Sequence, residues 1–301
     1  MNNKILITLT LILIGCGSAL PPSPPSAPPS PQGADLVTWQ GGSVMHNSKT
    51  FTIFWGADWR NQQAKMNDTI SFLKAFSNSS YLNAVNEYYD NSGPLSHDTS
   101  RATYNGFTTD YSEVPPSIDI TDNSSVDLVV NEICNIVHNN PDPNTIYLVY
   151  SSTPLKADRQ DCAWHSAWAC RQGYGKLVAF SFFPNLDEAS NCHITSSPQN
   201  ETIASIANVT AHEVVETITD PECDNKLAWV DTTNTSAADS NGEEVADKCA
   251  WAFPYDNNEN PAYETLTDGS QWKLQMTWSN KAYQNKTGLR NNKNQYGCIY
   301  K

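Results

Sequence analysis

The segment from Ser197 to Pro221 constrains the fold more than any other stretch of the chain. Its apolar side chains recur at the spacing of one helix face, at Ile203, Ile206, Ala207, Val214 and Ile218. We predict a helix that opens with Ser197 as its cap and Pro198 in its first turn, where the missing N–H costs little. The helix should end at Asp220, because Pro221 cannot continue the hydrogen-bond ladder.

Shorter apolar runs predict the elements that pack around this helix. Residues 51–56, 146–150 and 177–183 read as strands, with further strands around Trp229 and over 271–278. Helical spacing covers 61–76, a turn or two over 81–89, and a segment capped by Ser124 or Ser125 that ends near Asn139. A loop with Cys162-Ala163-Trp164-His165 should separate the strands at 146–150 and 177–183. The elements do not alternate strictly, so we predict one α+β domain with a mixed central sheet and a loop-rich C-terminal third.

The first nineteen residues predict an export signal. Lys4 gives a positive start, and the apolar run Ile5–Ile14 is only ten residues long, where a membrane-spanning helix needs roughly 20. Leu13-Ile14-Gly15-Cys16 resembles a bacterial lipobox, whereas Gly17-x-Ala19 suits an ordinary signal peptidase. The first alternative predicts a protein attached to a membrane only through a lipid on Cys16, and the second predicts free secretion.

The remainder of the chain divides into a linker and a globular domain. Residues 20–34 are rich in Pro, Ser and Ala, a composition that favours extended polyproline II or a disordered leader and cannot bury a core. Residues 35–301 then form the globular domain. Its many Trp side chains are better explained as core and disulfide packing than as a platform for carbohydrate.

The cysteine content fits an exported protein. Seven of the eight cysteines remain when Cys16 is set aside, so up to three disulfides can form. Six cysteines alone allow about 15 pairings, and the sequence does not choose among them. The paired C-x-x-C spacing of a zinc knuckle is missing. We therefore predict an extracellular or cell-surface-anchored protein with a disulfide framework.

The charge balance limits the partners. A formal net charge of −14 argues against electrostatic binding of nucleic acid or of an anionic membrane face, and the acidic residues are instead suited to cations. Seven Asn-x-Ser/Thr sequons permit glycosylation in a eukaryotic host. The partners left open are a peptide, a cell-wall component or another surface ligand.

A His-Glu-x-x-Glu sequence lies within the predicted 197–220 helix. His212 and Glu216 are four residues apart, so their side chains lie on one helix face and are able to hold a divalent ion. Glu213 is then placed to act as general base on a water molecule, as the corresponding Glu does in His-Glu-x-x-His metalloproteases. A carboxylate in place of the second imidazole makes the metal a weaker Lewis acid, which would slow hydrolysis or leave the site structural.

Further ligands must come from elsewhere in the chain. Glu244 and Asp247 are three residues apart, so one helical turn brings them together, and Asp220 and His165 are additional candidates. We predict Zn²⁺ as the ion, whereas an all-oxygen set of Glu216, Asp220, Glu244 and Asp247 would suit Ca²⁺. The competing interpretation is an ordinary, partly solvated helix face. His46, His97, His138 and His193 show no partner spacing and are interpreted as ordinary surface or core residues.

An ordered series of short motifs resembles the EXORDIUM or phosphate-induced protein family. In chain order the matching pieces are residues 41–45 (GGSVM), 51–56 (FTIFWG), 146–150 (IYLVY), 162–165 (CAWH), 211–216 (AHEVVE), 219–221 (TDP), 228–229 (AW), 244–249 (EVADKC) and 275–280 (QMTWSN). The resemblance implies an extracellular protein with a zincin-like domain, and in plants a link to growth, but no settled activity. The residues that it carries over are His212, Glu213, Glu216, Glu244 and Asp247. The Pro-rich linker and the lipobox depart from the plant pattern and favour a non-plant relative.

Two functions follow from these observations. The first is an exported zinc-dependent metallopeptidase in which His212 and Glu216 bind the ion with Asp247 or Glu244, while Glu213 activates water. The second is a non-catalytic extracellular or cell-wall module that uses the same carboxylates for a structural metal or for none. The two hypotheses make different predictions about metal content and about peptide hydrolysis.

Overall fold

The computed structural model describes residues 35–95, 100–114, 123–154, 162–170, 176–187, 189–233, 242–255 and 260–300. The predicted export signal with Cys16 and the Pro-rich linker lie outside the described residues, as does His97.

Helices and strands are distributed along the whole of the described chain. The strands are β1 (Thr38–Trp39), β2 (Lys49–Trp55), β3 (Tyr89–Asp90), β4 (Gly93–Pro94), β5 (Thr103–Asp110), β6 (Thr145–Pro154), β7 (Trp164–Ala169), β8 (Leu177–Asn185), β9 (Trp229–Val230), β10 (Glu264–Thr265), β11 (Gln271–Trp272), β12 (Thr277–Trp278), β13 (Leu289–Arg290) and β14 (Tyr296–Ile299). The α-helices are α1 (Gln63–Phe76), α2 (Asn123–Ile136), α3 (Glu201–Thr219) and α4 (Asn280–Gln284). Short 3₁₀ helices cover Ala57–Asn61, Ser80–Glu87, Ser190–Cys192 and Asp247–Cys249.

A five-stranded mixed sheet forms the centre of the protein. Its strand order is β5-β2-β6-β8-β7, in which the first four strands are parallel and β7 runs antiparallel to β8 at one edge. In that last pairing His165 of β7 lies opposite Ser181 of β8. The predicted α+β class with a mixed central sheet is therefore confirmed.

Both faces of the central sheet are covered, as expected for parallel strands. Alternate residues of β2 point to opposite faces: Phe54 joins the larger core with α1 and α3, whereas Ile53 and Trp55 join a second core beneath α2. After α3 the chain forms short two- and three-stranded ladders, β10-β11 and β12-β14-β13, joined by loops. The prediction of a loop-rich C-terminal third agrees with this arrangement.

Helix α3 corresponds to the predicted 197–220 helix, with a different start. All five of the apolar residues assigned to its core face are buried, and Asp220 follows its last residue as predicted. The predicted start at Ser197 and Pro198 is wrong. Asn200 is the N-cap, because its side chain accepts a hydrogen bond from the Thr202 amide at 3.0 Å, while the Ser197 hydroxyl donates to Gln199.

Other element predictions hold in part. The strands near 51–56, 146–150 and 177–183 and the helix over 61–76 are present. The predicted loop around Trp164 and His165 is instead the start of β7, where four successive residues are buried and no alternation marks a strand. Strand β5 was missed, because its side chains are only partly buried, and 271–278 holds two short strands rather than one.

Three disulfides link distant parts of the described chain: Cys134–Cys170, Cys162–Cys192 and Cys249–Cys298. This number matches the predicted maximum, and it fits an oxidising compartment such as the extracellular space. Cys223 takes part in none of the three bridges. Within the described ranges, every helix is too short or too polar to cross a bilayer.

Candidate metal centre

The centre is built on α3, whose side chains meet the edge of the central sheet. His212 and Glu216 lie one turn apart, with His212 Nε2 3.1 Å from Glu216 Oε1. One turn of helix separates residues four apart, so this contact follows directly from the spacing. The helix is fixed over β8 by a hydrogen bond of 3.2 Å between the hydroxyls of Thr217 and Ser181. The pair is therefore held on a buried and rigid element.

Asp247 reaches the same point from some thirty residues downstream. Its Oδ1 lies 3.2 Å from His212 Nε2, and its backbone amide donates to Glu216 Oε1 at 3.1 Å. The loop that carries Asp247 is held in place because the Trp278 amide donates to the Val245 carbonyl at 2.9 Å. The ligand atoms of His212, Glu216 and Asp247 all lie within 4.8 Å of one another, and we call these residues the His212 group.

Gln275 fixes the orientation of the His212 ring. Its side-chain Nε2 lies 2.7 Å from His212 Nδ1 and also donates to the Ala246 carbonyl at 3.2 Å. Nδ1 is thus engaged by the amide, and Nε2 faces the carboxylates of the group. The contact fixes the plane of the ring, but the amide nitrogen is a donor, whereas the usual outer partner of a metal-binding histidine is an acceptor.

His165 is the centre of a second set of contacts, which we call the second focus; the first is the His212 group. Its Nδ1 lies 3.3 Å from Glu213 Oε2 and 3.7 Å from Glu216 Oε2, so Glu216 presents one oxygen to each histidine. Its Nε2 lies 3.6 Å from Glu244 Oε1 and 3.2 Å from the Asp220 carbonyl. Glu213 and Glu244 therefore contact His165, while Asp247 contacts His212.

The two foci differ in their access to solvent. The side chains of His165, Glu213 and Glu216 are only 4%, 6% and 4% exposed, whereas those of His212 and Asp247 are 16% and 24% exposed. A ligand or substrate from solution would therefore meet the His212 group first. The His165 side lies beneath it, against the sheet.

Burial and mutual repulsion shift the pKa values of the carboxyl groups. Burial raises the pKa of Glu216 to about 7, with a further increase from Asp247 and an opposing effect of His212. Burial likewise raises the pKa of Asp220 to about 6 and that of Glu244 well above its usual range. Burial acts against the ionised form of Asp247 as well, but the hydrogen bond from His212 holds its pKa below 3.8.

Both histidines are held in strongly negative surroundings. Burial alone would lower the pKa of His212, but the carboxylates of Glu216 and Asp247 outweigh it and hold the pKa well above 6.5. For His165 the same opposition arises between burial and the charges of Cys223 and Glu244, with the same net result. The protonated, positively charged form of both imidazoles is therefore favoured, because nearby negative charges stabilise it.

The structure brings together every residue that the sequence suggested for the site. His212, Glu216 and Asp247 form one group, and Glu213, Glu244, Asp220 and His165 surround the second focus. Sequence reasoning missed Cys223 and Gln275. The odd number of cysteines left when Cys16 is set aside was the only signal for Cys223, and no spacing rule points to Gln275, which is 63 residues away from His212.

The chemistry of this arrangement is that of a cation site. Imidazole nitrogens and carboxylate oxygens converge in three overlapping groups whose donor atoms are close enough to share an ion, so the described residues hold clusters able to bind a metal. A comparison of the chain with protein-family models and with curated proteins finds no match.

Proposed function

We propose that this chain is an exported zinc-dependent hydrolase of the zincin type that acts on peptide bonds. The observation that carries the proposal is the convergence of His212 Nε2, Glu216 Oε1 and Asp247 Oδ1, with contacts of 3.1 and 3.2 Å at the imidazole. One imidazole and two carboxylates are donors that Zn²⁺ accepts, and three protein ligands leave a coordination position for water or substrate.

The proposed roles follow from the position of each side chain. A zinc ion held by the His212 group would supply Lewis acidity toward a peptide carbonyl and lower the pKa of water. Glu213, the residue after His212, accepts the proton of the attacking water. His165 holds the Glu213 carboxylate through the 3.3 Å contact at Nδ1 and so orients the base. Gln275 keeps His212 Nε2 turned toward the carboxylates.

The fold and the sequence motifs support this proposal from two directions. A mixed sheet with the His-Glu-x-x-Glu helix packed against it is the arrangement that the zincin-like prediction required. The proposed relation to the EXORDIUM family depends on the motif series alone. The proposed location is extracellular or cell-surface anchored, supported by three disulfides and by the export signal predicted from the sequence. Anchoring would require lipid on Cys16.

One observation favours a second candidate function. Glu213 is 6% exposed and already contacts His165, and two carboxylates on one metal reduce its Lewis acidity. These features suit a structural ion, either Zn²⁺ or Ca²⁺, in a non-catalytic module that binds a cell-wall or surface ligand. The two candidates differ in turnover, and the second also allows Ca²⁺ or no ion in place of Zn²⁺.

Metal analysis and a peptidase assay on the same preparations separate these functions. The wild-type protein is expected to contain zinc and to cleave a general protein substrate, and His212→Ala is expected to lose zinc from this group and all cleavage. Glu213→Gln should keep the zinc and lose cleavage by about 100-fold or more, because only the proton acceptor is removed. His193→Ala is the matched control, since His193 contacts the Leu186 carbonyl and lies outside the centre.

Three outcomes would decide between the two candidate functions or contradict the residue assignments. Peptide cleavage that survives Glu213→Gln would remove Glu213 from the mechanism. Bound metal with no cleavage in any preparation would support the non-catalytic module. Metal content unchanged in His212→Ala would contradict the assignment of the His212 group.

A further inference from the structure

A third set of donors includes His165. Atoms of His165, Cys223 and Glu244 all lie within 4.8 Å of one another, and we call these residues the Cys223 group. They come from three separate parts of the chain: His165 from β7, Cys223 from the turn after α3, and Glu244 from the loop before Asp247. The set shares no residue with the His212 group.

The geometry of His165 makes its Nε2 available on this side. Its Nδ1 is 3.3 Å from Glu213 Oε2, so this nitrogen donates its proton to a carboxylate. Its Nε2 faces Glu244 Oε1 at 3.6 Å and the Asp220 carbonyl at 3.2 Å. Both neighbours of Nε2 are acceptors, and a cation placed among them would satisfy all three atoms. A carboxylate behind a ligating histidine is the usual outer partner in zinc sites.

Two buried oxygens beside this group point independently to a cation. Glu244 Oε1 and Asp220 Oδ2 are buried and have no hydrogen-bond partner among the described residues. Asp220 is completely buried, and its other oxygen, Oδ1, accepts from the Ala228 amide at 2.8 Å. Asp220 lies beside the group, because its backbone carbonyl is 3.2 Å from His165 Nε2. Buried carboxylate oxygens without partners are costly unless a positive group meets them.

We propose that His165, Cys223 and Glu244 form a second, structural metal site that takes a thiophilic divalent cation, Zn²⁺ in the first instance. A sulfur donor selects zinc over calcium or magnesium, which bind through oxygen. On binding, the Cys223 thiol releases its proton to solvent and its sulfur forms the bond to the metal, and the protons on His165 Nε2 and on the Glu244 carboxyl group leave to solvent as well. One thiolate, one carboxylate and a neutral imidazole then balance the two positive charges of the ion.

A metal at the Cys223 group would hold three parts of the chain together. It joins the edge strand of the central sheet to the turn after α3 and to the loop that carries Asp247, three residues after Glu244. A metal at the Cys223 group would therefore keep Asp247 in reach of His212. This inference goes beyond the proposed function, because a structural ion here does not require that the His212 group be catalytic.

Cobalt substitution tests the proposal through a signal that only a thiolate ligand gives. The chelator-stripped full-length protein is titrated with Co²⁺, and a thiolate-to-cobalt charge-transfer band is expected in the near ultraviolet. The band should persist in His212→Ala and disappear in Cys223→Ser. Glu244→Gln, which keeps the thiol, should weaken Co²⁺ binding at this site by at least about tenfold. Circular dichroism of each variant checks that the fold is retained.

Two controls isolate Cys223 as the source of the band. Glu222→Gln removes a neighbouring carboxylate in the same turn and should leave the band unchanged, and Cys16→Ser removes the other cysteine outside the three disulfides. No charge-transfer band in the wild-type protein, or a band of equal intensity in Cys223→Ser, would overturn the proposal. Failure of the proposed hydrolase shows instead as a missing peptidase activity with the band still present, so the two failures are distinguishable.

Discussion

Asp247 and Lys248 are adjacent in the chain, yet they lie in opposite electrostatic surroundings. Lys248 is fully buried and its ammonium contacts Asp231 Oδ2 at 2.6 Å, with the Trp278 ring 4.5 Å away. The Asp231 side chain is also fully buried, and the ammonium lies 3.6 Å from Glu243 Oε2, whose carboxylate also pairs with Lys293, so two cations meet two anions here. Burial disfavours the ionised form of Asp231, but Lys248 and Thr233 outweigh it and lower the pKa of that carboxyl.

The centre on the other side of Asp247 is not balanced in this way. Four carboxylates, on Glu213, Glu216, Glu244 and Asp247, surround only two histidines. With both imidazoles protonated and all four carboxyl groups ionised, two negative charges would remain in a largely buried volume, and the raised pKa values of Glu216 and Glu244 mean that these two groups bind protons instead. The pKa of Glu216 is raised to about 7, whereas that of Asp231 is lowered.

The contrast shows how this protein buries a carboxylate. A lysine balances the charge at Asp231, and a proton does so at a third place, where Glu132 of α2 and Asp110 of β5 hydrogen-bond to each other. Burial and Asp110 raise the pKa of Glu132 to about 8. In the candidate centre no lysine is among these contacts, and a divalent cation would balance the charge in place of the protons on Glu216 and Glu244.

The largest effect is expected from removing the balancing cation at Asp231. Lys248→Met should lower the free energy of unfolding by about 3–5 kcal/mol, because Asp231 is left charged and buried. Urea denaturation in the presence of chelator measures this change. Lys49→Met is the matched control: Lys49 also pairs with a carboxylate, Asp142, but its side chain is 45% exposed, so a change of less than about 1 kcal/mol is expected. Equal losses in the two variants would remove the distinction between the pairs.

The contribution of the Glu132–Asp110 carboxyl pair to the stability of the fold should depend on pH. The raised pKa of Glu132 means that the folded chain binds this proton more tightly than the unfolded chain, so stability is lost as pH rises from about 4.5 to about 8. Glu132→Gln should therefore be more stable than the wild type by about 1–3 kcal/mol at pH 9, with little difference at pH 5. Thermal denaturation across this range is the measurement. The control Glu201→Gln, at the start of α3, should follow the wild-type profile.

Metal affinity should depend on the side chain that orients His212. Gln275→Leu removes the amide contact to Nδ1, and zinc affinity at the His212 group is expected to fall about 10- to 100-fold. Competition with a chromophoric chelator measures the change. Gln271→Leu is the control, since Gln271 is exposed and its side chain is outside the centre. Unchanged affinity in Gln275→Leu would show that the ring needs no such support.

The smallest expected change in the free energy of unfolding is an increase, whereas Lys248→Met is expected to decrease it. Glu216→Gln, measured in chelator at pH 8, should raise the free energy of unfolding by about 1 kcal/mol, because a disfavoured buried charge is removed. The Gln side-chain oxygen is able to keep the bond from the Asp247 amide. A loss of stability in chelator would mean that the carboxylates are already balanced within the protein, and the comparison with Lys248 would fail.

Much of the architecture was predictable from local patterns. The period of α3 placed five residues in the core, the Asp220-Pro221 pair marked its end, and apolar runs located three of the five central strands. The helix start was not predictable from Ser197 and Pro198, because a better cap, Asn200, lies nearer to the first turn. The edge strand β7 lacks any alternation, since both of its faces are buried at its start.

The convergence of His212, Glu216 and Asp247 was predictable from the sequence, and which other side chains contact which histidine was not. The spacing of His212 and Glu216 predicted the first contact. The metal-binding side-chain types alone suggested Asp247, Glu244, Asp220 and His165. Which carboxylate faces which histidine depends on strand register and on loop contacts between residues far apart in sequence. Gln275 and Cys223 reach the centre only through such contacts, so no local rule identifies them.

The central claim is that the His212 group binds a divalent cation, and anomalous X-ray scattering from zinc-loaded crystals tests it most directly. We predict an anomalous peak at the zinc edge within about 2.0–2.2 Å of His212 Nε2, Glu216 Oε1 and Asp247 Oδ1. Contradiction would come from zinc-loaded crystals with no peak at bonding distance from these atoms, in which His212 still contacts the two carboxylates directly.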